Sequence, residues 1–186
     1  MIERTPWRWL DPSRWGCTLA LLIVASLAMA ALLTWQGAPL RTPSAPCGIV
    51  CFEFVWNVEQ AQKLLGEWKP AGQMTARWNL ILDYPFIVIY CATFSLAAAL
   101  ASRVFLPSVG VLGSWLVFVA GGLDVVENYA LWQLLAGNLT PEWPLIAGWC
   151  ALIKFVLLGL ISVYLIGAGC AFVVARRRQR GPGQAG

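Results

Sequence analysis

The sequence predicts an all-α protein: a four-transmembrane-helix bundle with an amphipathic helix in one long outer loop. Three observations predict it. The chain is 59% hydrophobic and only 12% charged, with a mean hydropathy of +0.68, whereas a soluble domain carries about 25% charged residues. Four apolar runs are each long enough to cross a bilayer, which takes about 20 residues. Tryptophan is abundant, and many of the 11 stand near predicted helix ends: Trp7, Trp9, Trp15, Trp35, Trp78, Trp132 and Trp143. Amphipathic rings favour the headgroup level, so these read as two interfacial belts.

The expected spans cover residues 16–36, 78–102, 108–136 and 141–175, with an outer loop at 37–77, all in one integral membrane domain of residues 1–186. The first follows Arg4, Arg8 and Arg14. A basic flank before an apolar core also describes a signal peptide, but this run is longer than a typical signal core, so a retained helix is expected. The outer loop starts irregularly, through Pro39, Pro43 and Pro46. From Phe52 to Trp68 it turns amphipathic, with Val55, Val58, Leu65 and Trp68 at helical spacing. Such a helix either lies against the bundle or membrane surface, or stands as a small solvated helix. Lys69-Pro70-Ala71-Gly72 is expected to end it.

In the second span, Asp83 precedes Pro85. That pair fits a helix N-cap with proline in the first turn, and equally a buried acid. Asp83, Ile87, Tyr90 and Phe94 share one face. In the third span Gly110, Ser114, Val117, Gly121, Asp124, Asn128 and Leu131 recur at spacings of four and three, a packing seam that is small at one end and polar at the other. Gly137-Asn138 is its stop. The fourth span opens at Thr140-Pro141-Glu142, and Lys154 is its only interior charge.

Positive charge sets the expected orientation. Arg4, Arg8, Arg14 and Arg103 fall on one side with Arg176, Arg177, Arg178 and Arg180, so both termini are expected in the cytoplasm and the loop outside. Beside an apolar run, the last four arginines read as a membrane flank, and no nucleic-acid partner is expected.

Chemistry concentrates in Gly121–Tyr129. Asp124, Glu127 and Asn128 share one helix face within an apolar run. Ionisable groups at membrane depth are costly and need partners. Counted from their shared turn, Asp124 and Lys154 differ by about 3 Å in depth, and Asp83 and Asp124 by about 3 Å from theirs. Asp83, Asp124 and Lys154 are therefore expected at one level, with Glu127 and Asn128 slightly nearer the outside. The excess of acids implies that some stay protonated, face water, or bind a cationic or hydrogen-bonding group.

There is no histidine, which removes imidazole bases and most zinc and haem sites. No metal site is expected, and no cofactor is specified. Cys17, Cys91, Cys150 and Cys170 read as small core residues. Cys47 and Cys51 lie four apart in the outer loop, where a disulfide and two free thiols both fit.

Phe52-Glu53, Leu82-Asp83-Tyr84 with Tyr90, Gly122-Leu123-Asp124-Val125-Val126-Glu127-Asn128 and Lys154 together resemble a pattern in small uncharacterised four-helix integral membrane proteins of bacteria. The resemblance covers residues 52–158. It implies a bacterial inner-membrane location and adds Glu53, Tyr84 and Tyr90 to the candidate pocket of Asp83, Asp124, Glu127, Asn128 and Lys154. Three functions fit. One is a non-enzymatic component that binds lipid, quinone, a partner membrane protein or a second copy of itself. The second is a membrane enzyme acting on a lipid or isoprenoid, with Asp124 or Glu127 as acid/base. The third is a proton or ion pathway.

Overall fold

The computed structural model describes residues 4–180, with the side chains of residues 178–180 outside the description; the expected basic flank at Arg178 and Arg180 therefore lies outside the described side chains. The fold is all-α. The elements are α1 (Trp15–Gln36), α2 (Ile49–Glu53), α3 (Val58–Ala101), α4 (Pro107–Leu135) and α5 (Glu142–Arg180). The four longer ones pack together, and each is long and apolar enough to cross a membrane. Their outward residues include Leu21, Val88, Val163 and Ile166, each about two-thirds exposed. Four such helices in a bundle are the architecture of a multi-pass membrane protein, because a surface of this kind needs lipid rather than water around it.

α3, α4 and α5 pack on one another, while α1 packs chiefly on α3. The α1–α3 contact is pinned by polar groups. Ser26 and Thr93 share a hydrogen bond of 2.8 Å. Near the loop, Asn79 Nδ2 donates to the Leu33 carbonyl at 3.1 Å and to Gln36 Oε1 at 2.7 Å.

Every seam residue of α4, from Gly110 to Leu131, is buried. Gly110 and Gly121 are close approaches: a Cβ would strike the Tyr164 hydroxyl of α5 at Gly110 and Cys91 Sγ of α3 at Gly121. α4 ends as its Gly137-Asn138 pair demands. Gly137 takes φ +87°, Gly137 N donates to Leu134 O and Asn138 N donates to Gln133 O, the two bonds of a Schellman motif. The guanidinium of Arg77 donates to the Leu135 carbonyl at 2.8 Å, a cation at the negative end of α4's dipole.

The loop differs from its expectation. A single helix over residues 52–68 is not formed. α2 stops at Glu53, and a new helix starts at Val58, capped by Asn57 Oδ1 accepting from Gln60 N at 2.8 Å. Its apolar face, Ala61, Leu64, Leu65 and Trp68, joins Leu40, Phe52 and Val55 in one core with Leu131 and Leu134 of α4. Trp68 Nε1 donates to the Leu40 carbonyl at 2.8 Å, so the loop is anchored rather than solvated.

Lys69-Pro70 ends the loop helix as expected, and a second helix starts directly after it, so α3 is two helices joined at a kink. Proline excludes the α conformation for the residue before it, and Lys69 sits at φ 53°, ψ 178°. The chain bends there and runs on as helix to Ala101. The second span therefore begins well before residue 78, and Asp83 is interior to it, not an N-cap. The Cys47–Cys51 disulfide is formed.

Two other expectations are corrected. Trp7 and Trp15 are buried against Leu96 and Ala99 of α3 rather than placed in an interfacial belt, although Trp9, Trp35 and Trp78 remain exposed. Of the cysteines expected in the core, Cys91 and Cys150 are buried, but Cys17 and Cys170 face outward.

Candidate functional site

Three carboxylates surround one ammonium. Lys154 Nζ of α5 lies 2.8 Å from Asp124 Oδ1 and 2.8 Å from Glu127 Oε2, both on α4, and 3.6 Å from Glu53 Oε2 on α2. Asp124 and Glu127 are three apart, so one face of α4 presents both to α5. Lys154 and Asp124 are about 5% exposed and Glu127 is fully buried. At that burial an unpaired charge would be very costly, so the pairs hold the helices in one register.

Asp124 is held from the other side as well: Tyr90 OH of α3 donates to its Oδ2 at 2.8 Å. Side chains tilt toward the N-terminus of their own helix. α3 and α4 run in opposite directions, so Tyr90 reaches toward the loop end while Asp124 leans away from it, and they meet. Asn128 Nδ2 donates to Asp83 Oδ2 at 2.7 Å. Asp83 thus pairs one helical turn nearer the loop than Asp124 and does not join the lysine directly. Depth counting brings Asp124 and Lys154 together, and Asp83, counted about 3 Å nearer the loop than Asp124, pairs with the next turn of α4.

Glu53 reaches the cluster because α2 folds back over it. Burial pushes its carboxyl above the ordinary value, against the opposing pull of the Lys154 charge. Glu53 and Glu127 lie within hydrogen-bonding reach of each other, yet apart from their ion pairs with Lys154, Glu53 Oε2 and both Glu127 oxygens lack a hydrogen-bond donor. A proton held on Glu53 supplies one. It also lowers the excess of negative charge around the single ammonium.

A cavity of about 440 Å³ adjoins the cluster, within the 300–1,000 Å³ range usual for small-molecule sites. At one end stand Glu53, Asp83, Asp124, Asn128 and Lys154; further along are Phe86, Phe94, Leu158 and Ala30. Residues 47–50 of the loop roof it, and Arg41 also lines it. α1 and α5 both line the cavity without packing closely on each other.

The structure thus brings together Glu53, Asp83, Tyr90, Asp124, Glu127, Asn128 and Lys154. Tyr84 stands apart: it is exposed on the bundle surface and lines no part of the cavity. Cys47 belongs to the roof, and the disulfide ties it to Cys51 two residues before Glu53. Sequence reasoning missed the apolar half of the site and the part played by α1. Leu158 follows Lys154 by four and Asn79 precedes Asp83 by four, so helical spacing alone could have added them. Nothing in the sequence marks Ala30 or Leu33. Among the described residues no group of His, Cys, Asp or Glu is arranged to hold a metal ion. No family model, curated protein or solved structure matches this chain.

Proposed function

We propose that this chain is a non-enzymatic membrane component that binds a lipid-like amphiphile, of lipid or quinone type, with its head at the Lys154 cluster and its tail along the apolar half of the cavity. The observation that carries this is the cavity itself, polar at its roofed end, apolar beyond, and lined by α1 and α5, which leave a gap by not packing closely on each other. A ligand dissolved in the bilayer can enter such a gap without passing through water. The depth of the charged groups supports a functional reading, since ionisable residues in a span are expensive to keep.

The proposed setting is the inner membrane of a bacterium, within the group of small four-helix proteins that the chain resembles. Both termini lie in the cytoplasm and the disulfide-bearing loop outside. The arginine distribution supports that orientation, and a loop disulfide fits an oxidising compartment. A partner membrane protein or a second copy can share the exposed helix faces.

One observation favours a second reading, a proton pathway. Tyr90, Asp124, Lys154, Glu127 and Glu53 form a continuous chain of polar contacts. It ends beneath the loop.

Photo-crosslinking tests the main reading. A benzophenone side chain replaces Phe94, in the cavity, or Phe172, which is half exposed on α5. Irradiation in intact membranes is expected to give one discrete small-molecule adduct from position 94 and the mixed profile of bulk lipid from position 172. The same mixed profile from both positions would contradict the proposal.

A further inference from the structure

The polar end of the cavity is unsuited to an anionic head. Lys154 reaches it from within the bundle, and its ammonium is already committed to acids: hydrogen-bonded to Asp124 at 2.8 Å and ion-paired with Glu127 at 2.8 Å and Glu53 at 3.6 Å. An ammonium has three donors and no more. A phosphate or carboxylate placed beside that ammonium would also face the carboxyl groups of Glu53, Asp83 and Asp124. Arg41, exposed on the loop, also lines the cavity.

Acceptors, by contrast, are in surplus. Asp83 lines the cavity and receives one hydrogen bond, from Asn128. No other donor among the described residues is seen to reach it. Glu53 lines the cavity as well. The remaining walls favour a cation too. Phe155 lines the cavity with its ring centroid 4.8 Å from Lys154 Nζ and stacks on Phe54. Aromatic faces attract positive charge.

Resting on the amphiphile reading above, we infer that the cavity selects an amine-headed amphiphile: a protonated ammonium donating to Asp83 and Glu53, with an alkyl or isoprenoid tail toward Phe94 and Leu158. An alkyl amine is protonated at neutral pH, as a lysine side chain is, with an ordinary value of about 10.4. Its three N–H donors match the acceptors that the fold leaves open. A tail-less polyamine has the charge but forfeits the apolar half of the site.

The test uses the full chain in a neutral detergent at pH 7, titrated with tetradecylamine, tetradecanol, tetradecyl phosphate and spermidine, and followed by tryptophan fluorescence and thermal midpoint. Tetradecylamine is expected to bind at least about 10-fold more tightly than the alcohol, a difference of one hydrogen-bonded charge. The phosphate and spermidine are expected to bind more weakly still. Asp83→Asn is expected to weaken the amine about 10-fold and leave the alcohol unchanged, whereas Asp83→Glu, which keeps the carboxylate, retains the preference. Equal binding of amine and phosphate overturns the head assignment while leaving an amphiphile site standing. Binding of none of the tailed probes overturns the amphiphile reading with it, and spermidine binding as tightly as the amine removes the need for a tail.

Discussion

Lys154 is the residue on which the interior depends. Its ammonium contacts α2 and α4 from α5, and its loss would leave Glu53, Asp124 and Glu127 facing one another without a cation. Breaking a buried pair by removing one partner costs about 3–5 kcal/mol, because the other charge is stranded. Lys154→Met is therefore expected to lower unfolding stability in detergent by that amount. The triple variant Lys154→Met, Asp124→Asn, Glu127→Gln is expected to recover most of it. A single variant as stable as the parent would mean that the charges do not interact as drawn. Glu53 makes a pH prediction of definite sign. Burial raises its carboxyl above the ordinary 4.5, so the folded state holds the proton more firmly than the unfolded chain does. The stability this gives is fully present below about pH 4.5 and is lost as pH rises through the raised folded-state value. Glu53→Gln cannot ionise, so its thermal midpoint is expected to fall less than that of the parent as pH rises from 4.5. Parallel curves would show that Glu53 is not held as the structure has it.

At the scale of elements, α4 is the template on which α3 and α5 assemble. Its small residues set how closely they come. Gly121 meets Cys91 and Ile87 of α3, whereas Gly122 next to it faces open space. Gly121→Ala is expected to cost about 1–3 kcal/mol by overpacking. Gly122→Ala is expected to be neutral or slightly stabilising, since alanine is the better helix former. Chemical or thermal unfolding of the pair checks both, and equal effects would mean that the seam is misplaced. This seam was legible in the sequence because its period and its small residues coincide from Gly110 to Leu131. The break at residues 54–57 was not. Phe52, Val55 and Val58 carry a helical spacing on into that stretch, but what ends α2 is the return of Glu53 to Lys154, a contact between residues about a hundred positions apart. Lys69-Pro70 was legible as the end of the loop helix, but not as the start of the next one directly after it. Proline forbids helix only at the residue before it and is at ease in the first turn that follows.

At the scale of the whole molecule, the span count and the level shared by Asp124 and Lys154 follow from apolar run length and helical rise. The cavity does not, because it exists only where two helices far apart in sequence fail to close on each other. α1 shows no polar residue that announces a site, and its Ala30 matters only through what stands opposite. The central claim is that this gap holds a ligand. Ala30→Trp tests it, because Ala30 lines the cavity from the helix least committed to the bundle. The most direct measurement is native mass spectrometry of the chain released from lipid discs, parent against Ala30→Trp, with matched thermal midpoints as the control for folding. The account predicts one small amphiphile retained per parent chain and none by the variant. Equal retention by both, or no retained molecule in either, would contradict it.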